Sequence, residues 1–156
     1  MAATAPSAAQ SASQVFVHAT AVAIDRKGVL LLGPSGSGKS DLALRLIEAG
    51  GRLVADDQVI LARAGDRLVA SAPPALAGRI EARGIGILDL DGSRLWRRMP
   101  LAMAVELVPP ERLERLPEPA AREFLGVELK LIRLAPFEAS AVAKLRLALA
   151  QKYPPR

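Results

Sequence analysis

The sequence predicts an α/β domain built on a mixed sheet around a phosphate-binding loop. Three observations carry that prediction. Residues 33–40 read GPSGSGKS and match every fixed position of G-x-x-x-x-G-K-[ST]. The loop follows an apolar run, residues 28–32, and precedes a helical-looking segment, residues 41–49, which is the strand–loop–helix context that such a loop requires. Short apolar runs joined by tight turns surround it, a hairpin pattern that argues against a purely parallel, doubly wound sheet.

The elements follow in order. Residues 16–24 read as one strand with His18 near its start, and Asp25-Arg26-Lys27-Gly28 as a turn with glycine at the tight position, leading into a strand at 29–32. The helix after the loop carries Leu42, Leu44, Leu46 and Ile47 and stops at Gly50-Gly51, where glycine takes the left-handed closing conformation. Leu53-Val54-Ala55 starts a strand that ends in Asp56-Asp57. Residues 59–63 and 67–70 flank Ala64-Gly65-Asp66 as a hairpin, and Pro73-Pro74 breaks the pattern before a strand at 80–90. Residues 101–108 read as a strand, 109–116 as a connector, 127–134 as a last strand, and 139–151 as an amphipathic helix with Val142, Leu145 and Leu149 toward a core.

Composition sets the limits. At 156 residues and 51% hydrophobic, the chain suffices for one core and is too short for two domains of ordinary size. Residues 1–14, MAATAPSAAQSASQ, carry no charged side chain and are expected to be a disordered tail before a domain at 15–152. They lack the basic start and long apolar centre of a secretory signal. No uninterrupted apolar stretch approaches the roughly 20 residues of a membrane span, so the expectation is a cytoplasmic protein without membrane association. The absence of cysteine rules out disulfides and thiolate sites. The net charge of +5 is C-terminal: residues 1–90 carry 9 basic and 8 acidic side chains, residues 91–156 carry 12 and 8. Those charges alternate in sign, and with one Trp, one Tyr and three Phe for stacking, a nucleic-acid function is poorly supported.

Chemistry is concentrated in few residues. The loop Gly33, Pro34, Ser35, Gly36, Ser37 and Gly38 presents its backbone N–H groups, of which Pro34 has none, to phosphate oxygens, Lys39 adds a mobile cation, and Ser40 suits Mg²⁺. The following helix aims its positive dipole end at the same anion. Asp56 and Asp57 lie at a strand end, where one carboxylate can reach a nucleotide-bound metal and another can exchange the proton of an attacking hydroxyl. Adjacent strand residues point to opposite faces, so the two divide these roles. Consecutive Asp residues equally suit an Asx turn; the nearby phosphate loop favours the functional reading. A lone His18 is more often structural than catalytic. In EARGIGI, alternation would place Glu81 and Arg83 on one face, suited to metal or phosphate contact and equally to a surface ion pair.

The order of these pieces resembles the catalytic domain of bacterial HPr kinase/phosphorylase. VHATAVAI supplies a strand His, GVLLLGPSGSGKSDLALRLIEAGGRLVADDQV the phosphate loop and a VADD strand, and APPALAGRIEARGIGILDL an E-x-R-G-x-G-I signature, together spanning roughly residues 15 to 91. The resemblance implies a fold related to phosphoenolpyruvate carboxykinase. It also implies ATP and Mg²⁺ as cofactors and HPr, the phosphocarrier of the sugar phosphotransferase system, as the partner whose serine is phosphorylated. In the reverse task of the family, inorganic phosphate attacks phosphoserine and releases pyrophosphate. Carried onto this chain, Lys39 and the 33–40 backbone would hold phosphates, and Ser40 with Glu81 would serve Mg²⁺, with Asp56 supporting the metal shell. Asp57 would take and return the serine proton beside His18, and Arg83 would orient phosphate. Long members form hexamers, so a homo-oligomer is the corresponding expectation. They carry an additional N-terminal domain, and this chain resembles the short, catalytic-domain-only forms. They also carry a P-x-x-P-G-R-N loop where this chain reads LIRLAPFEASAVAK; Arg133 lies nearby without matching it and receives no catalytic role. A small-molecule kinase and a nucleotide-binding regulatory module without turnover are the rival readings.

Overall fold

The structure is a computed structural model that describes residues 13–151. The expected tail therefore lies outside the described residues except at its end, where Gln14 already belongs to a strand. Where one strand was expected over 16–24, the chain forms β1 (Gln14–His18) and β2 (Thr20–Ile24). The break falls at Ala19 because the two strands serve different neighbours. β1 pairs antiparallel with β5 (Gln58–Ala64), whereas β2 lies between β3 (Lys27–Leu32) and β4 (Arg52–Ala55). Burial follows the pairing: β1 alternates exposed and half-buried residues, and every residue of the small, apolar TAVAI segment in β2 is buried.

The β2–β3 hairpin turns on Asp25 and Arg26, both at positive φ (51° and 62°), as a two-residue turn matched to strand twist demands. Gly28 is thus not the turn glycine that the sequence suggested. It sits inside β3, where a Cβ would lie 2.4 Å from the Pro100 carbonyl oxygen. Glycine is needed there because two backbones approach closely. Gly28→Ala is expected to destabilise the fold by about 2 kcal/mol through overpacking. Thermal unfolding checks it, and an unchanged midpoint would remove this account of Gly28.

The phosphate loop joins β3 to α1 (Lys39–Glu48), which closes at Gly50 (φ 102°) and Gly51, whose N–H donates to the Leu46 carbonyl at 2.8 Å. β4, β5 and β6 (Arg67–Ser71) follow, then β7 (Arg79–Ala82) and β8 (Gly86–Asp89) as a separate hairpin. The single strand expected over 80–90 is therefore two, with Arg83, Gly84 and Ile85 in the turn. Arg83 accordingly does not share a strand face with Glu81. β9 (Arg98–Leu107), β10 (Ala120–Phe124), β11 (Val127–Leu134) and α2 (Ala141–Ala150) complete the described chain. β10 is absent from the sequence reading because AAREF mixes charge with half-buried positions and gives no apolar run.

The main sheet runs β1-β5-β6-β9-β3-β2-β4. β9 organises it: Arg98 to Pro100 pair antiparallel with β6, its later residues pair parallel with β11, and β3 runs parallel along its other edge. The sheet is mixed, as the hairpin pattern predicted. Alternation along β3 sends Val29 and Leu31 into the core shared with Leu42, Leu46 and Leu145 of the helices, and Leu30 and Leu32 into a second core with Leu61, Leu68 and Leu131. With both faces covered, β3 is held rigidly, and its C-terminal end delivers Gly33 beside the end of β9.

Candidate active site

Lys39 opens α1, and the residue before it, Gly38, holds φ 104°, so the loop turns sharply into the helix. The Lys39 side chain is buried and its ammonium donates to the loop carbonyls of Gly33 (2.5 Å) and Pro34 (3.0 Å). Burial pushes the Lys39 pKa below its ordinary value, while the charges of Asp57 and then Asp56 oppose that shift. The Ser37 hydroxyl is enclosed under Gly33, where a Cβ would lie 2.4 Å from it, and finds no hydrogen-bond partner among the described residues.

Asp56 follows the last residue of β4 and is buried. Its Oδ1 accepts from the hydroxyls of Ser40 (2.8 Å) and Thr20 (2.9 Å), and its Oδ2 accepts from the Glu81 backbone N–H (3.0 Å). A single carboxylate therefore ties the phosphate loop to β2 and to the β7–β8 hairpin. Thr20, fully buried, was missed by sequence reasoning; its only signal is a lone hydroxyl at the head of an apolar strand.

Asp57 is set differently. Its φ of 70° is rare for a residue with a side chain, and the Gln58 N–H donates to the Asp56 carbonyl at 2.8 Å, closing a three-residue turn around it. That turn swings the carboxylate away from the buried one. The Asp57 carbonyl accepts from the Ala19 N–H (3.2 Å) and lies 3.0 Å from His18 Nδ1, which donates in the tautomer protonated there. His18 Nδ1 is also 3.4 Å from Asp57 Oδ1, with both side chains at least half exposed. The break at Ala19 is what brings His18 here.

Glu81 meets this cluster through its backbone N–H, and its side chain lies on the exposed face of β7. Arg83 stands at the exposed hairpin turn. Among the described residues no group of three or more His, Asp or Glu side chains could hold a metal unaided. The donor set suits Mg²⁺ all the same, because that ion takes one or two carboxylates and completes its shell with phosphates and water. Ser40 and Asp56, 2.8 Å apart, are the residues that fit. Arg133 is engaged elsewhere, in an ion pair with Glu106 (2.9 Å) that Arg122 shares; Arg133 is the main cause holding the Glu106 carboxyl below its usual range.

A cleft of about 640 Å³ opens on the Pro34 to Ser37 side of the loop. Its lining includes Leu107 at the end of β9, Val108, Pro109 and Pro110 after it, and Pro136 and Phe137 after β11. Sequence reasoning gave these residues no role in the site, because two distant connectors form the walls.

The fold is that of a phosphate-loop domain on a mixed, two-sided sheet, with a buried carboxylate bonded to the loop and a second one standing clear. Known proteins narrow this class to one family. The family model described as HPr Serine kinase C-terminal domain matches residues 9–153. The chain belongs to that family. It is 41% identical over 128 residues to the HPr kinase/phosphorylase of Caldanaerobacter subterraneus, aligning 81% of this chain with 41% of that one. It is 37% identical over 132 residues to that of Cupriavidus metallidurans, again covering 80% of this chain and 41% of the relative. The chain thus spans about two fifths of the length of these relatives. The solved structure of the Hpr(Ser) kinase/phosphatase from Coxiella burnetii superposes with a TM-score of 0.76 at 29% identity, over 88% of this chain and 99% of that one. The expected fold class is borne out.

Proposed function

We propose that this protein is an ATP- and Mg²⁺-dependent serine kinase of the phosphocarrier HPr, and that it also runs the phosphate-dependent reversal. The observation that carries the reading is the different setting of the two carboxylates: Asp56 is buried and bonded to Ser40 of the loop, and Asp57 is exposed beside His18. The reading places the protein in the cytoplasm with its acceptor; among the described residues no helix is long and apolar enough to cross a membrane.

Lys39 and the backbone N–H groups of the 33–40 loop, Pro34 excepted, bind the phosphates, and the α1 dipole favours their charge. Ser40 and Asp56 would hold Mg²⁺, and Glu81, whose backbone N–H already meets Asp56, would serve it only by turning its exposed side chain toward the ion. The ion, when bound, neutralises charge developing on the transferring group. Asp57 takes the proton of the acceptor serine as its oxygen bonds to the γ-phosphorus and the bond to the β-phosphate oxygen breaks, releasing ADP. In reverse, a phosphate oxygen attacks the phosphoseryl phosphorus, the serine oxygen leaves with the proton of Asp57, and pyrophosphate forms. One protonatable carboxylate serves both directions by microscopic reversibility. His18 orients Asp57, and Arg83 orients the attacking phosphate. A homo-oligomer forms part of the same reading.

The test is incubation with HPr from the same organism and Mg-ATP, mass spectrometry to locate phosphate, then addition of inorganic phosphate. Phosphoserine that disappears with pyrophosphate release is expected. ATP binding without transfer would favour a nucleotide-sensing module. Lys39→Ala is expected to weaken ATP binding at least about tenfold, since a charged hydrogen bond contributes about 1.5–3 kcal/mol. Unchanged affinity by calorimetry would sink the phosphate-loop assignment itself.

A further inference from the structure

We propose that Phe137 is the platform on which the nucleotide base stacks, and that Arg45 is the residue that positions it. This rests on the nucleotide reading above and assigns a side chain to the half of the ligand that the phosphate loop leaves unaddressed.

Phe137 is 70% exposed, so its ring is open to a ligand. It is the one aromatic among the described residues that line the cleft beside the loop. The ring abuts the loop itself: a Cβ on Gly38 would lie 2.9 Å from Phe137 Cζ and 3.1 Å from Pro136 Cγ. The third loop glycine thus leaves room for the ring as well as supplying a left-handed turn. The same cleft is lined by the apolar stretch Leu107, Val108, Pro109 and Pro110, with Arg112 and Glu138 as its charged members. The cavity borders Pro34, Ser35, Gly36 and Ser37, whereas Ser40 faces Asp56. A flat aromatic base in the cleft would therefore adjoin phosphates held on the loop.

Arg45 makes the platform part of the loop assembly. From α1 its Nη2 donates to the Pro136 carbonyl, and the same guanidinium pairs with Asp41 at 2.9 Å. Pro136 restricts its own φ, and the Glu138 N–H closes a turn onto the Ala135 carbonyl at 3.3 Å. The segment carrying Phe137 is thereby fixed to the helix that the phosphate loop opens. Arg45 does not line the cleft, so it acts through Phe137.

The experiment titrates the whole protein with Mg-ATP and with Mg-tripolyphosphate, which has the phosphates and no base. Phe137→Ala is expected to weaken ATP binding about 5- to 150-fold, the range of base–aromatic stacking, while tripolyphosphate affinity stays within about twofold. Phe137→Trp is expected to keep ATP affinity and to show indole quenching by ATP and none by tripolyphosphate. The wild type, whose Trp96 lies against Arg52, supplies the background. Arg45→Ala is expected to weaken ATP selectively, and to add nothing in the Phe137→Ala background. Equal loss of ATP and tripolyphosphate in Phe137→Ala, or loss of neither, overturns the platform; additive losses overturn the positioning role. A wild type that binds neither ligand overturns the nucleotide reading and this proposal together, whereas failure in Phe137→Ala alone leaves that reading standing.

Discussion

Asp57→Asn is expected to bind Mg-ATP about as tightly as the wild type and to transfer phosphate to HPr about 10²- to 10⁴-fold more slowly, the range contributed by a positioned general base. The variant is informative because little else should change. Asparagine tolerates positive φ better than most residues with a side chain, so the turn at φ 70° persists. The backbone carbonyl still accepts from Ala19 and still faces His18. The proton acceptor is lost, together with the larger of the two charges that support protonated Lys39, so ATP affinity is measured beside the rate. Asp57→Gly separates chemistry from strain: it relieves the left-handed backbone and is expected to raise stability by about 0.5–1 kcal/mol, with the same loss of transfer. Initial rates at saturating ATP decide the matter. Undiminished transfer in Asp57→Asn would assign the proton to another group, whatever happened to the melting point.

The phosphate loop is legible in the sequence because its determinants are contiguous: eight residues, an apolar strand before them and a helix after them. Asp56 and Asp57 are only half legible. Strand alternation predicts that the two carboxylates part, which the structure achieves by a turn at Asp57 after β4 has ended, and it cannot say which is buried. That outcome depends on β4 ending at Ala55 and on Thr20 and Glu81 arriving from other strands to bond Asp56. The missed break at Ala19 has the same origin. No glycine or proline marks it, because the chain passes there from β5 to β3 and β4 as partners without a turn residue. The hairpin at 79–89 was more accessible, since Gly84 and Gly86 both take positive φ. An apolar reading of 80–90 concealed it. Phe137 shows the opposite limitation. Its segment attracted attention for lacking the expected arginine motif, whereas its place over Gly38 follows from tertiary packing between α1 and the loop after β11.

Asp56→Ala is expected to cost about 2–3 kcal/mol of stability, because it strips an acceptor from buried donors, and so to lower the thermal midpoint by roughly 5–10 °C. Thr20 is fully buried and has nowhere to turn its hydroxyl, and the Glu81 N–H is fixed by the β7 backbone. Asp56→Asn should lie between wild type and Ala: its amide keeps one oxygen for Ser40 and Thr20 while pointing N–H groups at the Glu81 N–H. Function should fail through two routes. The stimulation of ATP binding by Mg²⁺ should disappear once the carboxylate beside Ser40 is gone. Lys39, already held low by burial, should lose one of the two charges that support its protonated form. Phosphate binding needs the charged ammonium, so ATP affinity in the variant should begin to fall at a lower pH than in wild type as the solution is made alkaline. Calorimetric titration with and without Mg²⁺ across that range reads both effects. Retained Mg²⁺ stimulation would remove Asp56 from the metal shell, and an unmoved alkaline limb would show that the Asp57 charge alone sustains Lys39.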